Sequence, residues 1–159
     1  MIYTILGYAE MYEEYKAELI NQRDDAFDLI WNHNKEIGRN LPDEELRQGI
    51  EKFIDKGNAI AVLKEDRVIA FMVLYCNSYD TLKAYICNVY VLEQYRRKHC
   101  AEKMMKMAVE ICMKNHFKAI DLHVAESNAP AVSLYKKLGF YFTDNYRNTD
   151  REMELRLTD

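Results

Sequence analysis

No apolar run in this chain approaches the length of a membrane span, no segment is of low complexity, and no internal repeat is present. No membrane partner is expected. Met1-Ile2-Tyr3-Thr4-Ile5-Leu6 reads as too short and uncharged for a signal peptide, so the expected location is cytoplasmic. The 4 cysteines, Cys76, Cys87, Cys100 and Cys112, form no C-x-x-C pair, and the 4 histidines show no ligand spacing. That pattern predicts reduced, buried thiols and no metal. Positive charge is also short: Lys and Arg number 22 against 26 Asp and Glu, for a formal net charge of -4. A general nucleic-acid binder or a protein seated on acidic lipid is therefore not expected.

With 159 residues and 49% hydrophobic content, the chain suffices for one domain with a full core. Residues 84–114 organise it. Ala84-Tyr85-Ile86-Cys87-Asn88-Val89-Tyr90-Val91 is apolar or aromatic at nearly every position, which predicts a central strand covered on both faces. A helix is predicted from about Cys100, burying Ala101, Met104, Met105, Ala108, Ile111 and Cys112, with Glu102, Lys103, Lys106, Glu110 and Lys114 mostly in water.

No Ser, Thr, Asp or Asn stands just before that helix, so its first-turn N–H groups need another acceptor. Arg96, Arg97 and Lys98 precede it. Free N–H groups, the positive end of a helix dipole and three fixed cations together describe a seat for phosphate or pyrophosphate. A solvated helix start beside a basic turn is the equal alternative, and Glu102 suits such a start without any ligand.

Before this stretch, 2–6 reads as a short strand and 9–31 as helical, through Tyr8, Tyr12, Tyr15, Leu19, Ala26 and Ile30, with a break near Asn21. A second helix starts around Pro42-Asp43-Glu44-Glu45, buries Leu46, Ile50, Phe53 and Ile54, and ends at Gly57-Asn58. Residues 59–63 and 68–76, joined by Lys64-Glu65-Asp66-Arg67, predict an antiparallel hairpin. Ile120, Leu122 and Val124 alternate with Asp121 and His123 in a further strand, parallel to the central one because a helix connects them. A helix over 129–138 follows, and 140–146 with 152–157 close the chain as a hairpin. The expected class is α+β, a mixed, mostly antiparallel sheet flanked by helices.

Arg96-Arg97-Lys98-His99-Cys100-Ala101 resembles the acetyl-CoA pyrophosphate loop of GNAT-type N-acetyltransferases, whose pattern is Gln or Arg, two residues, Gly, one residue, then Gly or Ala. Arg96 and Ala101 match; His99 stands where the family has its central glycine. Asn128-Ala129-Pro130-Ala131-Val132-Ser133-Leu134-Tyr135-Lys136-Lys137-Leu138-Gly139-Phe140 is similar to the family's second signature, an Asn, Ala three residues on, Leu-Tyr and a closing Gly-Phe. The likeness covers roughly residues 59–140. The order of elements, strand, two helices, three strands, helix, strand, helix and two strands, is also that of the GNAT fold.

The resemblance implies direct transfer of an acetyl group from the cosubstrate acetyl-CoA to a primary amine, without a metal. It divides the single domain into 1–58 on the acceptor side, 59–140 as the acetyl-CoA core and 141–159 as a closing hairpin. The backbone from Arg97 through Lys98, His99, Cys100 and Ala101 to Glu102 would hold the pyrophosphate, and a backbone N–H of Tyr90 or Val91 would meet the oxyanion. Asn128 would cap its helix and touch the pantetheine arm. Tyr135 matches the family's general acid, and a phenol of about pKa 10 protonates a thiolate whose acid is near about 8.5 at a cost of ~2 kcal/mol. Some members carry a basic glutamate on the central strand. That position is Tyr85 here, and no carboxylate lies within 84–91, so proton removal falls to water, Glu93 or an amine that arrives neutral. His99 adds a Cβ where glycine is usual, and the loop is expected to close with His99 near helical φ and its imidazole outward.

A CoA-binding sensor or scaffold without turnover is the alternative, and an anion- or RNA-contacting protein using Arg96, Arg97 and Lys98 is a third reading that the net charge disfavours. The acceptor, a peptide or protein N-terminus, a polyamine, an amino sugar or an amino acid, would lie against the N-terminal helices with Tyr8, Tyr12, Tyr15 and Trp31. Asp24, Asp25 and Asp28 there would attract a cationic amine or form a solvated face. Monomer and homodimer stand equally.

Overall fold

The computed structural model describes residues 15–157. Its elements in chain order are β1 (Ala17–Leu19), α1 (Ala26–Glu36), α2 (Asp43–Lys56), β2 (Asn58–Lys64), β3 (Arg67–Tyr75), β4 (Lys83–Val91), a short 3-10 turn (Glu93–Tyr95), α3 (Cys100–Lys114), β5 (Ala119–Ala125), α4 (Ala129–Lys137), β6 (Tyr141–Arg147) and β7 (Asp150–Arg156). One seven-stranded sheet in the order β1-β2-β3-β4-β5-β7-β6 runs through the molecule. Only β4 and β5 pair in parallel, because α3 carries the chain back between them. The mixed sheet, the β2–β3 hairpin and the closing hairpin read from the sequence are all present. Glu65 and Asp66, both at positive φ, make the tight turn of the first hairpin.

The N-terminal reading needs correction. The strand expected over 2–6, together with Tyr8 and Tyr12, lies outside the described residues. Residues 17–19, expected in a helix, form an edge strand that pairs antiparallel with β2. The cause is tertiary. Asn21 donates from Nδ2 to the carbonyls of Ile54 at 2.9 Å and Gly57 at 2.8 Å, and its Oδ1 accepts from the Ala59 N–H at 2.8 Å. One amide thus ties the strand to the end of α2 and the start of β2, against the helical spacing of the apolar residues.

The sheet buries two cores. On one face Ile60, Val62, Met72, Leu74, Ile86, Ile120, Leu122, Met153 and Leu155 pack against α3 and α4. α3 crosses β1 to β5, with Met104, Met105, Ala108, Val109 and Cys112 turned inward. Each such aliphatic side chain contributes about 1.5–3 kcal/mol, an upper estimate given residual burial in the unfolded chain. Glu102 and Lys103, expected in water, are only 6% exposed because α3 begins deep beside α4, where Lys137 approaches Glu102. On the other face α1 and α2 cover Ala59, Ala61, Val68, Phe71 and Val73. They stop short of β5 and β7, so that half of the face is polar: Asp121 and His123 lie opposite Glu154 and Glu152.

All four cysteines are free thiols, as expected, but only Cys100 and Cys112 are fully buried; Cys76 and Cys87 are half-buried, and the Cys76 and Cys112 Sγ atoms lie 4.0 Å apart. Among the described residues no helix is long and apolar enough to cross a membrane.

Candidate active site

β4 is the axis of the site. Phe71 faces Tyr90 while Val73 faces Cys87, so β4 holds one residue more than β3 across this step, and Asn88 adopts a left-handed φ of 56° within it. This is a β-bulge. β4 pairs with β5 only through Lys83, Ala84 and Tyr85, after which the two strands part. The expected cover on both faces therefore holds for Ala84 and Ile86 alone. Val89, Tyr90 and Val91 are half-buried because they line a cavity of about 860 Å³.

The cavity's other walls are the loop into α3, the first turn of α3, and α4. Of the residues singled out in the sequence, Tyr90, Val91, Arg96, Arg97, His99, Cys100, Ala101, Glu102, Asn128 and Tyr135 all line it. Lys98 does not; it is exposed. No side chain caps α3, as its sequence predicts. Its N-cap is His99, whose φ of 64° and ψ of 22° are left-handed rather than near-helical, and Arg97 is also left-handed at φ 62°. These two left-handed residues, separated by Lys98, make a tight turn that leads directly into the uncapped first turn of α3. The loop has kept the backbone of a glycine loop without the glycine, at about 1–2 kcal/mol of strain. The imidazole does not turn fully outward either: Nδ1 lies 3.6 Å from the buried Glu102 carboxylate, with Lys137 Nζ at 3.8 Å on the other side.

Arg96 Nε donates to the Val91 carbonyl at 3.0 Å, and its guanidinium lies 5.4 Å from the centre of the Tyr90 ring, so one residue braces the loop against the end of β4. Burial pushes the Cys100 thiol up to about 11 despite Lys103 and Lys98 nearby. It is a packing residue rather than a thiolate nucleophile.

Asn128 caps α4, its Oδ1 accepting from the Ala131 N–H at 3.3 Å. Gly139, at φ 102°, ends the following turn. Tyr135 is 8% exposed, stands edge-on to Phe140 at 5.7 Å, and makes no hydrogen bond from its hydroxyl among the described residues. The hydroxyl is therefore available to the cavity. Burial pushes it up to about 12.

A second cluster, legible only in part from the sequence, stands where β4 and β5 part on the α1–α2 face. Tyr85 Oη accepts from Arg147 Nη1 at 2.8 Å and lies 3.2 Å from His123 Nδ1. Arg147 also lies over the Tyr85 ring at 4.9 Å. Burial, then the Arg147 charge, holds the His123 imidazole below its ordinary value, which keeps it neutral near pH 7. Tyr85 stands at the position that, by resemblance, carries a glutamate in some family members. His123 carried a signal too, a polar residue alternating with the apolar side of β5, but only the strand register reveals that the two meet. Glu93 is exposed in the 3-10 turn and does not line the cavity.

Three carboxylates, Asp121, Glu152 and Glu154, lie within 4.8 Å of one another. Lys83 Nζ and Tyr141 Oη both donate to Glu154, at 3.2 and 2.9 Å. Asp121 and Glu154 face each other across β5 and β7, and the Lys83 and Tyr141 bonds fall on Glu154.

The model of the acetyltransferase (GNAT) family matches residues 8–140. An N-alpha-acetyltransferase of Saccharolobus solfataricus is 42% identical over 60 residues, 36% of this chain and 35% of that protein. The chain spans between 35% and 53% of the length of the curated relatives it matches. Among solved structures, the ribosomal-protein-S18-alanine N-acetyltransferase of Escherichia coli superposes with a TM-score of 0.69 at 16% identity, over 91% of this chain and 95% of that one. An N-acetyltransferase of Thermoplasma acidophilum in complex with coenzyme A gives 0.62 at 16% identity, over 91% and 99%. These two show the shared fold. With a family match across most of its length, laid over the bulged strand, the uncapped helix and the buried tyrosine, the chain belongs to the acetyltransferase (GNAT) family.

Proposed function

We propose that this protein transfers an acetyl group from acetyl-CoA directly to the primary amine of an acceptor. The observation that carries the reading is one continuous cavity joining the uncapped start of α3, the bulge of β4 and the hydroxyl of Tyr135. The residues fit the cosubstrate. The α3 N–H groups and the Arg96 and Arg97 charges suit a pyrophosphate.

Acetyl-CoA supplies the activated acyl group and a thiol leaving group; this chain supplies position and protons. A backbone N–H at Tyr90 or Val91, on the part of β4 that has left β5, meets the charge that develops on the carbonyl oxygen. Tyr135 holds the proton for the departing sulfur. Against a free thiol of about 8.5 that transfer is uphill by about 5 kcal/mol at a phenol near 12, and the same burial raises the thiol in the cavity and narrows the gap. Neutral His123 draws the amine's proton through the Tyr85 hydroxyl, whose oxygen Arg147 holds in place. With Cys100 and Cys87 both pushed up by burial, direct transfer is favoured over an acyl-cysteine route.

Similar proteins bear names that specify an N-alpha amine or the alanine of a ribosomal protein, which makes an α-amine the first acceptor to try. The test is calorimetric titration with acetyl-CoA, then free-thiol release on the same sample with a panel of α-amines. Saturable binding with amine-dependent release is expected. Binding with no release from any amine, or no binding, overturns the proposal.

A further inference from the structure

On the acceptor side of β4, three cations face one patch, and none of them forms an ion pair among the described residues. Arg39, from the α1–α2 connection, donates from Nη1 to Asn88 Oδ1 at the bulge. Lys52, on α2, lies over the Tyr75 ring at 5.8 Å, and Tyr75 is the cross-strand neighbour of Tyr85. Arg147 reaches the Tyr85 hydroxyl from the other side. Their partners are thus an amide and two phenol rings. None of the three has a carboxylate within ion-pair distance among the described residues, whereas Arg23, Lys35, Arg67, Lys83 and Arg151 each have one. In a chain with 26 acids and 22 bases, such a trio runs against composition.

Cys87 shows how close they stand. Burial pushes its thiol up, and the bond from Asn88 followed by the charges of Arg39, Lys52 and Arg147 pulls the other way. Acids stand on β7, where Asp150, the cross-strand neighbour of Arg147, acts on Tyr85 and His123, and Glu152 acts on His123. The acceptor face therefore carries both signs at His123, where Arg147 meets these acids, and positive charge at Asn88 and Cys87.

We infer, building on the transferase reading above, that the acceptor is an amine bearing a carboxylate close to the reacting nitrogen. Its ammonium enters toward Tyr85 and His123, and its carboxylate settles among Arg39, Lys52 and Arg147. Polyamines are disfavoured, because their second charge would meet these three. The carboxylate has two sources, the side chain of an acidic residue at the start of a peptide or the α-carboxylate of a free amino acid. Asp25, at the start of α1, is already bonded by Arg23 at 2.8 Å.

The test measures free-thiol release with acetyl-CoA and matched acceptors: amidated short peptides with Asp, Asn or Lys at the second position, and alanine against alaninamide. The expected result is a kcat/KM at least about tenfold higher for the acidic member of one pair, as one charge-assisted bond supplies. Lys52→Gln, Arg39→Gln and Arg147→Gln should each lower that ratio, which cancels any loss of overall rate. A preference for Asp over Asn identifies a peptide acceptor; one for alanine over alaninamide identifies an amino acid. Equal rates within both pairs, or a ratio untouched in all three variants, overturn the inference while leaving the transferase reading intact. No release with any acceptor overturns both.

Discussion

His99 and Tyr135 are the residues at which this chain most depends on its surroundings. His99 holds a left-handed backbone that glycine would hold more cheaply, and it persists because Ala101 and the rest of the first turn of α3 are packed in place beneath it. Tyr135 is buried yet leaves its hydroxyl to the cavity, a position that costs stability unless the group meets a ligand. Tyr135→Phe should therefore leave acetyl-CoA affinity nearly unchanged while lowering turnover at least about tenfold. Titration and steady-state kinetics on one preparation check this, and equal turnover would take Tyr135 out of the mechanism. Arg96, Arg97, Asn128 and Tyr135 were legible in the sequence because each belongs to a local pattern of a few residues. The Tyr85–His123 contact was not, since it joins residues far apart in sequence and exists only through the register of two strands. The left-handed backbone of His99 was not legible either, because residue type alone argued for a helical φ there.

At the scale of elements, most of the chain was legible because each segment carries its own period: β7 alternates, α3 repeats at helical spacing, and two-residue turns close the hairpins. β1 was missed because its conformation is imposed from outside. Three hydrogen bonds to one side chain, Asn21, hold that strand to the end of α2 and the start of β2. Removing them strands two carbonyls and one N–H in a part-buried seam. Asn21→Ala is expected to cost about 2 kcal/mol, lowering Tm by roughly 4–8 °C in a chain of this size. Thermal denaturation followed by circular dichroism reads the change directly. An unchanged Tm would mean that strand pairing alone fixes β1.

For the molecule as a whole, the polar half of the sheet sets how stability responds to pH. Asp121 and Glu154 sit directly opposite on β5 and β7, with Glu152 beside them, and burial followed by the bond to Glu154 pushes Asp121 up to about 7. A carboxyl whose pKa is higher folded than unfolded binds more protons in the native state, so its contribution is complete below the unfolded value of 3.8 and is lost as pH rises through about 7. Glu154 shifts downward and acts below its own ordinary value, and His33 and His123, both held down mainly by burial, act below 6.5; all three lose stability as pH falls, the sign opposite to that of Asp121. The parent protein's own pH profile therefore mixes several groups. Comparison with Asp121→Asn isolates one, because the amide keeps the contact to Glu154 and never ionises. The variant should differ least from the parent below about pH 4 and become progressively more stable than it up to about pH 7, where the gap levels off, because over that window the unfolded parent has released the Asp121 proton that its folded form retains. Denaturant titrations at four or five pH values give the difference, and a gap that stays constant or shrinks with rising pH would show that Lys83, whose ammonium already contacts Glu154, neutralises the cluster without help from the proton on Asp121.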